Sequence, residues 1–363
     1  MAVVSQGPGS GLLARPRVPP RVGATLVRVV PAPELRLNGD VDSNSPAVWD
    51  LVDGAPRLHV FTSTAGVIRR SEGADLAELS PASAVAWTVA PEQGVWMEAV
   101  VSDEAGTWYG YYHHERAGVV CGDSGKVLPR IGAASSRDRG LTWDDLGPIL
   151  EAPPDSHVCD TTNHYFHGGV GDLSVMLDPD RQYLYLFYSE YLNDLSGQGV
   201  AMARLAWADR DAPSGRLDIW NQQAWVPPSE VTAVDDNGHA VASSWLYPVG
   251  TPLFPTTRSW HDADGGANAF WGPSVHWNWY LSRYVMLLNR TSDVNFTQEG
   301  IYVSFSEALE QPGYWSEPRQ ILQGGLWYPQ VMGLGTNDND KTAGQVARLF
   351  LSGSSSYFIQ FQR

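Results

Sequence analysis

The chain has 363 residues, 43% of them hydrophobic, with 15 Trp, 15 Tyr, 36 Gly and 25 Pro, which is ample apolar content for a folded core and excludes global disorder. With 24 basic residues against 40 acidic ones the net charge is −16. No basic stripe interrupts that acidity, which argues against nucleic acid and anionic membrane as partners, and no apolar run approaches the ~20 residues of a helical membrane span.

Residues 1–23 are rich in Gly, Pro, Val and Arg and lack the apolar stretch of a secretory signal. They read as a flexible tail ahead of one domain over 24–363. Within that domain a short apolar segment ending in Val recurs five times: Ser45-Pro46-Ala47-Val48, Met97-Glu98-Ala99-Val100, Asp172-Leu173-Ser174-Val175, Gly272-Pro273-Ser274-Val275 and Tyr328-Pro329-Gln330-Val331. Each is followed by runs dense in aromatic and β-branched residues, at 57–62, 107–113, 182–190, 283–289 and 347–352. Third strands are predicted at 66–70, 130–136, 199–205, 300–306 and 357–362, and outer strands at 84–89, 146–151, 224–227 and 319–322.

Four strands per unit and radial repetition predict an all-β, five-bladed β-propeller with antiparallel blades. The fifth unit ends at Arg363 after three strands, so the apolar run at 25–30 is expected to close it and remove an open sheet edge. From Val175 to Val275 the spacing is long, and the excess at 209–266 reads as a binding loop over or beside the central pocket. Cys121 and Cys159 flank the outer strands of the second unit, where a disulfide could staple two loops; two free thiols fit the sequence equally well.

A propeller brings the first strand of every blade to one axis, so residues distant in sequence share a pocket. Asp42, Glu98 and Asp172 stand at or before the first three inner strands, whereas Trp271, Trp327 and Tyr328 stand at the last two. An unpaired carboxylate on an apolar strand, as at Glu98, is costly and points to function. His113, His164, His167, His276 and Gln330 are candidates for bonding sugar hydroxyls alongside Trp271 and Tyr328. A zinc site from His164, His167 and Cys159 is a weaker alternative, since the spacing of the two histidines suits a helix better than a loop.

The segment Ser136-Arg137-Asp138-Arg139-Gly140-Leu141-Thr142-Trp143 fits the S-x-D-x-G-x-x-W turn of sialidase-type propellers, a structural device. The inner acids, in Asp42-Ser43-Asn44-Ser45-Pro46, Trp96-Met97-Glu98-Ala99-Val100 and Gly171-Asp172-Leu173-Ser174-Val175, make the chain resemble the five-bladed propeller glycosidases of glycoside hydrolase families 43, 32 and 117. The resemblance implies hydrolysis of a poly- or oligosaccharide, with Asp42 as base or nucleophile and Glu98 and Asp172 sharing the roles of general acid and pKa modulator. In this chain a Glu stands in blade two and an Asp in blade three, the reverse of the family's residue types. No cofactor is required by that chemistry, although the resemblance implies room for a structural Ca²⁺ held by carbonyls and water. A secreted or periplasmic location is the expectation for such an activity. A non-catalytic glycan-binding propeller is the alternative from a different class.

Overall fold

The computed structural model describes residues 26–92, 94–122, 125–234, 240–262 and 264–363. The tail expected at 1–23 lies outside the described residues. Those described form a five-bladed β-propeller, one sheet to a blade, plus a separate two-stranded hairpin.

Blade one comprises Ala47–Val52, Ala55–Thr64, Val67–Gly73 and the short Ser83–Ala84. Blade two comprises Val95–Ser102, Trp108–His114, Arg130–Ser136 and Thr142–Leu150. The outer strand expected at 84–89 is divided: Ala84 pairs with blade one, while Ala86–Trp87 runs parallel to the outer strand of blade two. Blade three runs Val170–Leu177, Tyr183–Tyr191, Gln198–Ala206, Leu217–Asn221 and Ala224–Val226, so the run expected as its fourth strand is its fifth. Blade four is Phe270–Asn278, Arg283–Thr291, Gln298–Ser306 and Arg319–Gln323, with Thr342–Ala343 laid parallel along its inner edge. Blade five is Gln330–Gly333, Val346–Leu351 and Ser354–Gln362, completed by Leu26–Arg36, which pairs antiparallel from Leu26 opposite Gln362 to Arg36 opposite Ser354.

Blades stack face to face, so their strands are buried on both sides and read as near-continuous apolar runs. All five of the Val residues that end the repeated segments are buried. One apolar layer fills each gap between neighbours. Val48, Phe61, Met97 and Trp143 lie between blades one and two, and Ala99, Tyr111, Leu173 and Leu186 between two and three. Phe187, Val275 and Met286 follow between three and four, then Leu287, Val331 and Leu349, then Leu58, Val60, Met332 and Phe350 between five and one.

The 209–266 insertion is divided. Its hairpin, Ser229–Val234 with Ala240–Leu246, belongs to the outer edge of blade three, where Trp245 packs against Gly215 so closely that a Cβ there would overlap the indole. Its later part comes toward the axis: Trp260 stacks on Phe296 at 5.2 Å and His261 Nε2 lies 2.9 Å from the carbonyl of Tyr191. Cys121 and Cys159 are joined in a disulfide across 38 residues, linking the loops on either side of the outer strands of blade two.

Candidate active site

The segment that precedes the first inner strand crosses the axis and touches the other four blades. The Asn44 amide donates to Glu98 Oε2 of blade two at 3.0 Å. Asn44 Nδ2 donates to the carbonyls of Leu173 in blade three and Pro273 in blade four, both at 3.0 Å. The Ser45 amide donates to Gln330 Oε1 of blade five at 2.8 Å. This path fixes Asp42, whose amide donates to the Ser63 carbonyl, at the mouth of the axial cavity.

Glu98 and Asp172 reach the same cavity because each is the extra residue of a β-bulge. Met97 faces Tyr112 and Ala99 faces Tyr111, leaving Glu98 unpaired; Gly171 faces Ser189 and Leu173 faces Tyr188, leaving Asp172 unpaired. A bulge re-aims a side chain that strict alternation would point into the neighbouring blade. Asp172 adopts a left-handed backbone, φ 37°, to do so.

Asp42, Glu98 and Asp172 line one cavity of about 30 Å³ together with Trp96, His113, Glu115, Phe166 and Tyr328. That volume holds one or two waters. Asp42 is exposed at the rim, whereas Glu98 and Asp172 are 1% and 4% accessible. Although Asp42 is exposed overall, its side chain lines the cavity, and that local desolvation, then the Asp172 and Glu115 charges, push its carboxyl up to about 6. Burial and then Asp172 hold Glu98 well above the usual carboxylate range, and its Oε1 has no hydrogen-bond partner. Burial also raises Asp172, against the opposing pull of His113 and of the Tyr191 hydroxyl. Tyr191 donates to Asp172 Oδ2 and Tyr328 to Oδ1, the latter at 3.4 Å.

Of the other residues singled out from the sequence, His113 and Tyr328 line this cavity. His113 Nδ1 accepts the Asp172 amide, while Nε2 lies 3.4 Å from Glu115 Oε1 without making a hydrogen bond to it. Trp271 is 2% exposed behind Tyr328, at 5.7 Å between rings, and belongs to the aromatic layer rather than to the wall. Gln330 is a brace for Ser45. His167 is buried with Nδ1 3.0 Å from the Val158 carbonyl, and exposed His164 lies on the loop beside Asn295. His276 is buried against Phe361 between blades four and five. Trp96, Glu115, Phe166 and Tyr191 were not foreseen as site residues. Trp96 and Glu115 stood beside residues that were, but Phe166 comes from a loop and Tyr191 is one aromatic among many on its strand.

The zinc reading does not fit the residues present. Among the described residues, the one group of three or more His, Cys, Asp and Glu close enough to share an ion is Cys121, His157 and Cys159, and the disulfide occupies both sulfurs. His276 is held neutral, pushed down to about 3 by burial and then Lys341.

No family model matches the sequence, and no curated protein matches it. Solved structures do resemble the fold. An endo-arabinase from Bacteroides thetaiotaomicron superposes with a TM-score of 0.51 at 12% identity, over 90% of this chain and 97% of that one. A thermostable family-43 glycoside hydrolase gives 0.49 at 12% identity, over 95% and 92%. An α-L-arabinofuranosidase from Podospora anserina gives 0.47 at 12%, over 91% and 94%. At such identities the likeness to the endo-arabinase speaks for a shared five-bladed propeller architecture along nearly the whole chain.

Proposed function

We propose that this propeller is a glycoside hydrolase acting on a poly- or oligosaccharide at the axial cavity. The observation that carries the reading is the convergence of Asp42, Glu98 and Asp172, from three different blades, on one cavity where all three carboxyls are pushed above their usual range. Three acids so placed do not titrate independently, because each charge disfavours ionisation of the others. Glu98 is the natural holder of a proton, because Oε1 lacks any donor that a proton would displace. Asp172 accepts from two tyrosine hydroxyls, an arrangement that suits a fixed negative charge.

In this assignment Glu98 protonates the glycosidic oxygen as the C–O bond breaks. Asp42, open at the mouth, supplies the second carboxylate, as nucleophile or as base for water, and Asp172 keeps Glu98 protonated by repulsion. The disulfide suits an oxidising compartment, which supports a secreted or periplasmic setting where polysaccharide is encountered.

Reducing-sugar release from a panel of plant and microbial polysaccharides tests the reading. Glu98→Gln and Asp42→Asn are each expected to lower kcat by about 10²–10⁴-fold; full activity in both variants overturns it. A second reading is a glycan-binding propeller without turnover, for which Trp96, Phe166 and Tyr328 on the cavity wall would serve as stacking surfaces. Retention of the protein on a polysaccharide without release of reducing ends decides for that one.

A further inference from the structure

His113 closes a chain of groups that runs from the buried acids to solvent. It lies on the second strand of blade two opposite Trp96, is 3% exposed, and meets the Trp96 ring edge-on at 5.8 Å. Its Nδ1 accepts the backbone N–H of Asp172 at 2.9 Å. That amide belongs to the bulge residue, which the ladder pairing passes over. A buried N–H without an acceptor is costly, so the imidazole supplies what the sheet does not. Gly171 makes the approach possible, because a Cβ at that position would collide with the imidazole. An acceptor at Nδ1 places the ring proton on Nε2, which lies 3.4 Å from Oε1 of Glu115, a residue partly open to solvent.

We propose that His113 is a positioning residue that holds Asp172 in its left-handed bulge and connects it, through Glu115, to solvent as Asp172–His113–Glu115. The ring has two alternatives for Nδ1. Neutral, it accepts the Asp172 amide; protonated, it loses that bond and faces Asp172 Oδ1 instead, now 3.6 Å away. Moving one proton onto His113 therefore releases the backbone that aims Asp172. The charged groups facing the ring are Asp172 from blade three, Asp42 from the axial segment and Glu115 beyond its own strand, and they outweigh burial in favouring the cation. The catalytic consequence rests on the hydrolase reading; the hydrogen-bond arrangement does not.

Two variants separate positioning from bulk packing. His113→Asn keeps an acceptor near the Nδ1 position but cannot titrate, whereas His113→Phe fills the space without an acceptor. With a substrate identified, His113→Phe is expected to lose about 10²-fold in kcat, the cost of a misplaced group, with KM changed far less. His113→Asn is expected to retain more activity and to shift the acidic limb of the kcat–pH profile. Equal activity loss in both variants, tracking Tm with the profile unmoved, overturns the proposal.

NMR of the wild-type protein labelled with ¹⁵N-histidine provides a readout that needs no substrate. The expected result is a neutral Nε2–H tautomer for His113 whose titration midpoint falls in Glu115→Gln. A neutral Nδ1–H tautomer, or a midpoint unmoved by that substitution, overturns the proposal. If no polysaccharide is cleaved, the hydrolase reading fails while this measurement still decides the role of His113.

Discussion

Two residues beside the axial cavity, Asp172 and Tyr328, hold left-handed backbones at φ 37° and 54° and are tied to each other by a hydrogen bond. Such conformations cost ~1–3 kcal/mol each for residues bearing a side chain and persist where surrounding contacts over-determine them. Here the contacts are the Tyr191 hydroxyl and the His113 ring for Asp172. A second buried carboxyl, Glu190, lies next to Tyr191 in sequence but apart from the cavity. It accepts from Tyr188 and from the Gly250 amide on Oε1, Oε2 has no partner, and burial pushes it up from 4.5 to about 7. A carboxyl raised in the folded state favours folding below its unfolded value and loses that advantage as pH rises through its folded one. Stability is therefore expected to fall between about pH 4.5 and 7, by about 3 kcal/mol from this residue. Glu190→Gln should flatten that slope in urea melts across the range; an unchanged slope means the residue is better solvated than its burial indicates. Glu98 was legible in the sequence because a lone acid in an apolar strand demands an explanation. The unequal offsets of Glu98 and Asp172 from their valines had no such sign, since an inserted bulge residue looks like any other residue.

At the scale of elements, the loops around blade two form one wall of the cavity. The disulfide ties them together, and Val127 and Phe166 form a bridge between them, placing Phe166 beside Glu98 and Asp172. Closing a loop of 38 residues constrains the unfolded chain by roughly 4 kcal/mol. Replacing both cysteines with Ser is expected to lower stability by about 2–4 kcal/mol in denaturant melts. A loss below about 0.5 kcal/mol would show that the two loops hold without the bond. The turn at 136–143 is set by short-range chemistry and so was readable. Ser136 Oγ accepts from Gly140, Asp138 accepts from the Thr142 amide at 2.8 Å, and Trp143 is fully buried between blades one and two. The hairpin of the insertion was misplaced because nothing local in its sequence marks Gly215 as the surface it packs on.

At the scale of the molecule, closure depends on Leu26–Arg36 completing blade five, where Val27 and Val29 pack on the layer containing Ile359 and Phe361. The repeat count, the buried valines and this closure were all legible, because burial between blades leaves little choice of residue type. Deleting residues 1–36 removes the partly buried Val27, Val29 and Val30 and opens a sheet edge, which is expected to cost roughly 3 kcal/mol and to promote association. Calorimetry and light scattering would show it, and an unchanged Tm in a monomeric deletion variant rules the closing role out.

The same pairing fixes an order of events during synthesis. The strand at 26–36 is among the first parts of this sequence to leave the ribosome, yet its partner at 354–362 is among the last. At ~5–20 residues per second that is a wait of roughly 15–65 s. Throughout it the first strand has no partner and the nascent ring stays open, so translation speed and chaperone supply until the strand at 354–362 emerges bear directly on the yield of closed propeller.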